Sequence, residues 1–287
     1  MPLDSIAEIL ASCSERNLAF WQVVLEADVE ERQVSAGASF EKMRATWRAM
    51  LDSAESYDGG LRSVSGLSGG DGELMRRDAA GGAALGGGYI SEVIATALCV
   101  GESNACMRKI VAAPTAGACG VLPAVLVPLY RRGEREEDIL RALYTAAGIG
   151  AVINSRASIS GAAGGCQAEI GSASAMAAGA LAQLRGGGPE QTANALAMAL
   201  KNLMGLICDP VAGLVEVPCV KRNVIGAVNA VSCADMALAG ITSRIPADEV
   251  IDCMGIVGER LPREFRETAR GGLAATPTGR AAWKQLK

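Results

Sequence analysis

The sequence predicts an all-α protein, a helical domain with glycine-rich loops converging on one site. Three observations carry this reading. Strand signals are scarce, because no stretch alternates apolar and polar residues with β-branched positions between turn residues. Apolar residues recur instead at helical spacing, as at Ile6, Ile9 and Leu10. The 35 glycines fall largely in clusters, GLSGGDG at 66–72 and GAAGG at 161–165 among them. Clustered glycine marks tight turns and close backbone approach rather than a flexible linker.

Taken in order, the first 55 residues read as two helices, with Ser5 and Glu8 at capping-box spacing and Tyr57-Asp58-Gly59-Gly60 as the stop. A glycine-rich loop at 66–77 runs into a short helix. Residues 89–112 are helical, and 113–130 open as a loop and continue as an apolar helix. Residues 134–153 carry Glu and Asp in their first turn, where the helix dipole favours acids. A second glycine- and serine-rich loop spans 154–166, and a helix of small residues follows at 170–184. Gly186 to Gly188 stop that helix, and Pro189 opens the next, which runs to about Leu206. The 208–219 stretch, with two prolines, is an ordered turn or a short broken helix; 222–241 and 247–259 are helices, and 270–280 is a loop. With no linker and no repeat, residues 1–287 form one domain.

Composition narrows the function. The net charge is −4 with no basic stripe, which weighs against nucleic acid as a partner. No apolar run nears the roughly 20 residues that span a bilayer, and the N-terminus has no basic region followed by an apolar stretch. A soluble, cytoplasmic protein is expected. Nine cysteines, an odd number without an export signal, argue against a disulfide framework. Histidine is absent, which excludes Ser-His-Asp and Cys-His catalysis and His-ligated zinc within this chain. Neither a phosphate-binding glycine motif in the right setting nor a CxxC pair occurs.

Cys13, Cys99, Cys106, Cys233 and Cys253 fall within helical stretches and read as small buried hydrophobes. Four others lie in loops beside glycine or proline: Cys119 in AGACGV, Cys166 in AGGCQAE, Cys208 before Asp209-Pro210, and Cys219 after Pro218. Glycine admits a bulky inorganic ligand and proline fixes the chain beside it, so some of these four are candidate cluster ligands; buried cysteines in tight loops are the alternative.

The blocks GLSGGD, APTAGACGVLPAVL, ISGAAGGCQAEIGSASAMAA, KNLMGLICDPVAGLVEVPCVKRN, ADMALAGITSRIP and GGLAATPTGR, from about residue 60 to the end, resemble the landmarks of the iron–sulfur-dependent L-serine dehydratase (L-serine ammonia-lyase) alpha subunit. The resemblance implies a 4Fe–4S cluster held by Cys166, Cys208 and Cys219, with Cys119 outside the ligand set. Three ligands leave one iron open to activate the serine hydroxyl as a leaving group without pyridoxal phosphate. L-Serine would be deaminated to pyruvate and ammonia, a step of amino-acid catabolism and gluconeogenesis. The family's catalytic histidine lies in a Ser-His-Thr loop of a beta portion, so a serine dehydratase beta subunit, and hence a hetero-oligomer, is implied.

For the substrate, Ser68 and the backbone of Gly69 and Gly70 form a candidate carboxylate nest, and Asp71 a candidate partner for the ammonium. Thr115, Asn154 and Ser160 are further candidates, with turn capping as the ordinary alternative. Lys201, just ahead of Cys208, is a candidate base or cluster charge, against the reading of a solvated lysine. Two other functions remain open: a metal-free regulatory or interaction subunit, and a lyase for threonine, cysteine or another β-substituted amino acid.

Overall fold

The computed structural model describes residues 3–82 and 84–286. They form thirteen α-helices and no strand; the one β feature is an isolated parallel bridge between Cys208 and Arg266. The helices are α1 (Ile6–Arg16), α2 (Phe20–Arg32), α3 (Ala36–Glu55), α4 (Asp71–Gly81), α5 (Gly87–Ala105), α6 (Val121–Arg131) and α7 (Glu136–Arg156), followed by α8 (Gly161–Gly164), α9 (Ser172–Leu184), α10 (Pro189–Asn202), α11 (Cys219–Leu238), α12 (Ala247–Arg260) and α13 (Pro277–Gln285).

The centre is α9, buried from Ser172 to Ala182 and packed on α6, α7, α10 and α11. A helix apolar on all sides must lie inside. Its sequence, SASAMAAGALAQL, is small-residued because four helices close on it; a Cβ on Gly179 would lie 2.3 Å from Ile149 Cδ1. Ser174 Oγ donates to the Gly226 carbonyl of α11 at 2.7 Å and accepts from Asn229 Nδ2 at 2.9 Å, so its hydroxyl is satisfied in the core. The main apolar core runs from Ile6 to Met254, and a small second cluster joins Val211, Ala212 and Ala282. No helix among the described residues is long and apolar enough to cross a membrane.

Several boundaries differ from expectation: α13 starts at Pro277 inside the expected 270–280 loop, α8 falls within the expected 154–166 loop, and α10 ends at Asn202 rather than near Leu206. The N-terminal 55 residues make three helices, because Asn17 and Gln33 take left-handed backbone at φ 51° and 53° and end α1 and α2 without a glycine. Ser35 then caps α3 through Ala38 N at 3.2 Å, as Ser5 caps α1 through Glu8 N at 3.1 Å. The expected 89–112 helix ends at Ala105, where Met107 turns left-handed at φ 58°. Cys106 therefore sits at the helix end, half-buried, and Cys253 is exposed on α12; neither is the buried helical hydrophobe expected. Helix α7 continues to Arg156, so Asn154 lies on a helix, exposed, rather than in a loop.

The α5–α6 crossing tests the close packing. A Cβ on the buried Gly120 would lie 2.8 Å from the Ala97 carbonyl oxygen, a backbone atom that cannot swing aside. Gly120→Ala is expected to cost about 1–3 kcal/mol. Gly81→Ala meets nothing within 4 Å and should be neutral or slightly stabilising. Urea midpoints of the two variants check this, and equal midpoints would refute it.

Candidate active site

Cys166 enters the site through Gly165, whose φ of 78° and ψ of −178° suit glycine. A Cβ there would lie 2.6 Å from Leu261 Cδ1 and 3.0 Å from the Leu206 carbonyl oxygen. The next residues, Gln167–Gly171, form one π-helical turn, a feature that often marks function. Gln167 holds that turn in place: its backbone N–H donates to Leu206 O at 2.9 Å, its Nε2 to Met254 O at 3.2 Å, and its Oε1 accepts from Gly205 N at 2.8 Å. The Cys166 segment is thereby tied to the residues just before Cys208.

Cys208 is pinned from its other side. Its N–H donates to Phe265 O at 2.8 Å, and its carbonyl accepts from Glu267 N at 2.9 Å. Glu267 and Ala269 both take left-handed backbone, at φ 59° and 54°, to bring that loop alongside. Cys219 is the first residue of α11, and Asn223 one turn on accepts from Gly120 N and donates to the Cys219 and Gly117 carbonyls. Cys219 is thus locked to the 117–120 loop.

These tethers bury Cys166, Cys208 and Cys219, with exposures of 2%, 2% and 8%. The Cys166 and Cys208 sulfurs and a Glu169 carboxylate oxygen lie within 4.8 Å of one another. Cys219 stands outside that tight group but within electrostatic reach of Cys166. A hydrogen bond from Cys208, opposed by burial and aided by the Arg222 charge, holds the Cys166 thiol below the ordinary thiol range. The same hydrogen bond, then burial, push Cys208 upward. Burial first, and the Cys166 charge second, push Cys219 up to about 12. Cys119 is buried apart, its thiol towards Val100 O.

Arg222 lies one turn past Cys219 on α11. Its Nη1 donates to Ile207 O at 2.8 Å and its Nη2 to Asp209 Oδ1 at 2.8 Å, and its charge bears on Cys166. Asp209 in turn accepts from Leu273 N at 2.8 Å. Arg222, Asp209 and Glu169 were not singled out from the sequence. The CVKR spacing of Cys219 and Arg222, on one helical face, was the available signal for the first.

Glu169 sits on the π-turn in a cradle free of side chains. A Cβ on Gly161 would lie 2.8 Å from its Oε2 and 3.1 Å from the Cys208 sulfur, and one on Gly117 3.3 Å from the same oxygen. Burial raises its carboxyl above the usual range; Thr115 opposes the rise and the Glu267 carboxylate adds to it. Thr115 Oγ1 is buried, faces that carboxylate, and reaches no partner at full hydrogen-bond geometry.

The other expected residues fall in three places. The Ser68–Asp71 loop borders the Cys219 turn: Ser63 Oγ donates to Glu216 at 2.6 Å, Ser65 Oγ donates to the same oxygen, and Asp71 pairs with Lys221 at 2.8 Å. Ser68 is buried, and its N–H donates to Ser63 Oγ. Gly69 needs its φ of 126°, since a Cβ would lie 2.3 Å from Leu61 O, and Gly70 lies under the Arg62 guanidinium. The N–H groups of Asp71 and Gly72 at the start of α4 are taken by the buried Glu102 carboxylate, at 2.9 and 3.1 Å. Ser160 precedes α8, on the loop that carries Gly161. Lys201 turns away, with its Nζ hydrogen-bonded to Ser243 Oγ at 3.1 Å and to the Ser243 carbonyl, and Asn154 is exposed on α7.

Two buried thiols and a carboxylate gathered within 4.8 Å of one another, with a third buried thiol nearby, are compatible with a soft-donor metal site. A family model described as the serine dehydratase alpha chain matches residues 15–274. The chain is 46% identical over 283 residues to the probable L-serine dehydratase, alpha chain, of Bacillus subtilis, covering 98% of this chain and 94% of that one. It is 39% identical over 283 residues to the L-serine dehydratase, alpha chain, of Peptoniphilus asaccharolyticus, covering 96% of each. The L-serine dehydratase of Streptomyces coelicolor matches at 47% over 181 residues, 62% of this chain and 40% of that longer protein. The chain belongs to the serine dehydratase alpha chain family.

The Arg222–Asp209 pair yields a direct test. Its side chains are 11% and 2% exposed, so removing one partner strands the other in the interior. Arg222→Met is expected to cost about 3–5 kcal/mol, and adding Asp209→Asn should recover a measurable part. Denaturant midpoints of the metal-free protein read both, and additive losses would show that the pair is not coupled.

Proposed function

We propose that the chain is the cluster-holding half of an L-serine dehydratase, converting L-serine to pyruvate and ammonia together with a beta partner. The observation that carries this reading is the close, buried pair of Cys166 and Cys208, with the buried Cys219 in electrostatic reach, in a chain of this family. The donor set fits an iron–sulfur cluster: thiolates are its ligands, and glycines keep the space before them clear. Cys166, Cys208 and Cys219 would hold a 4Fe–4S cluster. When bound, it supplies a Lewis-acidic iron with a position open to the substrate's hydroxyl.

The chain's own residues do the rest of what this half contributes. Arg222 offsets thiolate charge at Cys166 while Asp209 fixes the guanidinium. Thr115, Ser160 and the Ser68–Asp71 loop stand around the site as substrate-side or partner-facing groups. Removal of the α-proton and departure of the hydroxyl give an enamine; its imine tautomer hydrolyses to pyruvate and ammonia. Without histidine, the proton acceptor is assigned to the beta partner's Ser-His-Thr loop, since a base with pKa near the working pH serves best. All nine cysteines are free, which suits a reducing cytoplasm.

Anaerobic reconstitution with iron and sulfide tests the reading. The wild-type chain should turn brown and, with the beta subunit, turn over L-serine. Cys166→Ser should lose both colour and activity, whereas the exposed Cys253→Ser should keep both. Equal losses would point to general stability. Turnover by the reconstituted chain alone should fall about 100-fold or more below that of the complex, the scale of a missing general base. Full activity alone would overturn the borrowed base.

A further inference from the structure

The site carries an acidic wall with no cation assigned to it. Glu169 lies within 4.8 Å of the Cys166 and Cys208 sulfurs, and the next carboxylate to bear on it is Glu267. It forms no ion pair among the described residues, and the otherwise unpartnered Thr115 hydroxyl stands beside it. Two cations of the site are committed elsewhere: Arg222 to Asp209 and Ile207 O, and Lys221 to Asp71. Asp71, the acid suggested by sequence for the ammonium, already has its counter-charge. The backbone at Gly117 and Gly161 approaches Glu169 closely, since a Cβ would come within 3.3 and 2.8 Å of its oxygen.

We propose that Glu169, with the Thr115 hydroxyl beside it, receives the α-ammonium of the substrate. This rests on the serine dehydratase reading and names the residue that selects an amino acid over a plain hydroxy acid. The chemistry fits the charges. An ammonium relieves the repulsion between Glu169 and Glu267 and offers donors to both the carboxylate and Thr115 Oγ1. The ammonium and hydroxyl of serine sit on adjacent carbons, so an ammonium held at Glu169 keeps the hydroxyl on the side of the paired cysteine sulfurs. The substrate carboxylate is repelled from this wall and must point away from it.

The test uses the complex with its beta partner and the cluster rebuilt anaerobically. Glu169→Gln removes the charge and keeps the shape. Iron content and visible absorbance should be retained, while KM for L-serine rises about 10- to 100-fold and kcat changes far less, the scale of a lost charged hydrogen bond. Two inhibitors separate the cause. The inhibition constant of L-alanine, which has the ammonium but no leaving hydroxyl, should rise by a similar factor. That of 3-hydroxypropionate, which lacks the ammonium, should stay unchanged. Loss of iron would make Glu169 a ligand, a collapse of kcat at constant KM would make it a proton carrier, and an equal rise for both inhibitors would mean disturbed packing; each overturns the proposal. Should the Gln variant not fold, Glu169→Asp keeps the charge and must retain the preference for L-alanine over 3-hydroxypropionate. If the wild-type complex does not turn over L-serine, the dehydratase reading fails on its own, and calorimetric binding of the two inhibitors to wild type and variant still decides the role of Glu169.

Discussion

The arrangement of the site depends on one buried guanidinium. Arg222 donates to the Ile207 carbonyl and to Asp209, so a single side chain on α11 grips both residues flanking Cys208 while its charge bears on Cys166. Burying a charge costs several kcal/mol unless its donors are met with good geometry. Here Ile207 O and Asp209 meet its donors and help offset that cost, which makes the guanidinium a register pin for the Cys208 loop. Asp209 extends the pin to the C-terminal loop through Leu273 N, and the glycine at 272 is needed because a Cβ there would lie 2.6 Å from Asp209 Cβ.

The same device recurs wherever a loop lacks regular backbone pairing. Backbone N–H and C=O groups withdrawn from water must find partners, and in irregular segments side chains supply them. Asn223 serves the 117–120 loop and Cys219, Gln167 serves 205–206 and α12, Glu102 serves the start of α4, and Glu216 serves the Ser63–Ser65 turn. These tethers act from helices that cannot slide, because α9 and its neighbours meet through Gly, Ala and Ser with no room for repacking. Rigid small-residue helices and polar loop tethers together allow thiols far apart in sequence to share one buried volume.

The helical class and most element positions were legible because helical periodicity and the absence of alternation are local properties. The breaks at Asn17, Gln33 and Met107 were not, since each is a non-glycine residue in left-handed backbone, a state stabilised by surrounding contacts rather than announced by residue type. The cysteine loops stood out through their glycine and proline neighbours. Glu169 did not, because QAEIGSA reads as ordinary helix; the π-turn that re-aims it is held by Gln167 contacts from residues 205 and 254. Asp71 and Lys201 looked like free charges in sequence, but their partners, Lys221 and Ser243, lie 150 and 42 residues away. Pairings at such separations leave no mark in local composition.

The site that results is equipped to hold and orient, and among its titratable groups Glu169 is raised and Cys166 lowered, with no imidazole beside them. Its thiols are pushed apart, Cys166 downward and Cys208 and Cys219 upward, and Arg222 stays charged. No imidazole exists in the chain. A half-site of this kind calls for a second surface that brings the titrating group and completes the wall opposite Glu169. The longer relative fits that division, since the part it shares with this chain makes up 40% of its length and the remainder has no counterpart in the aligned region.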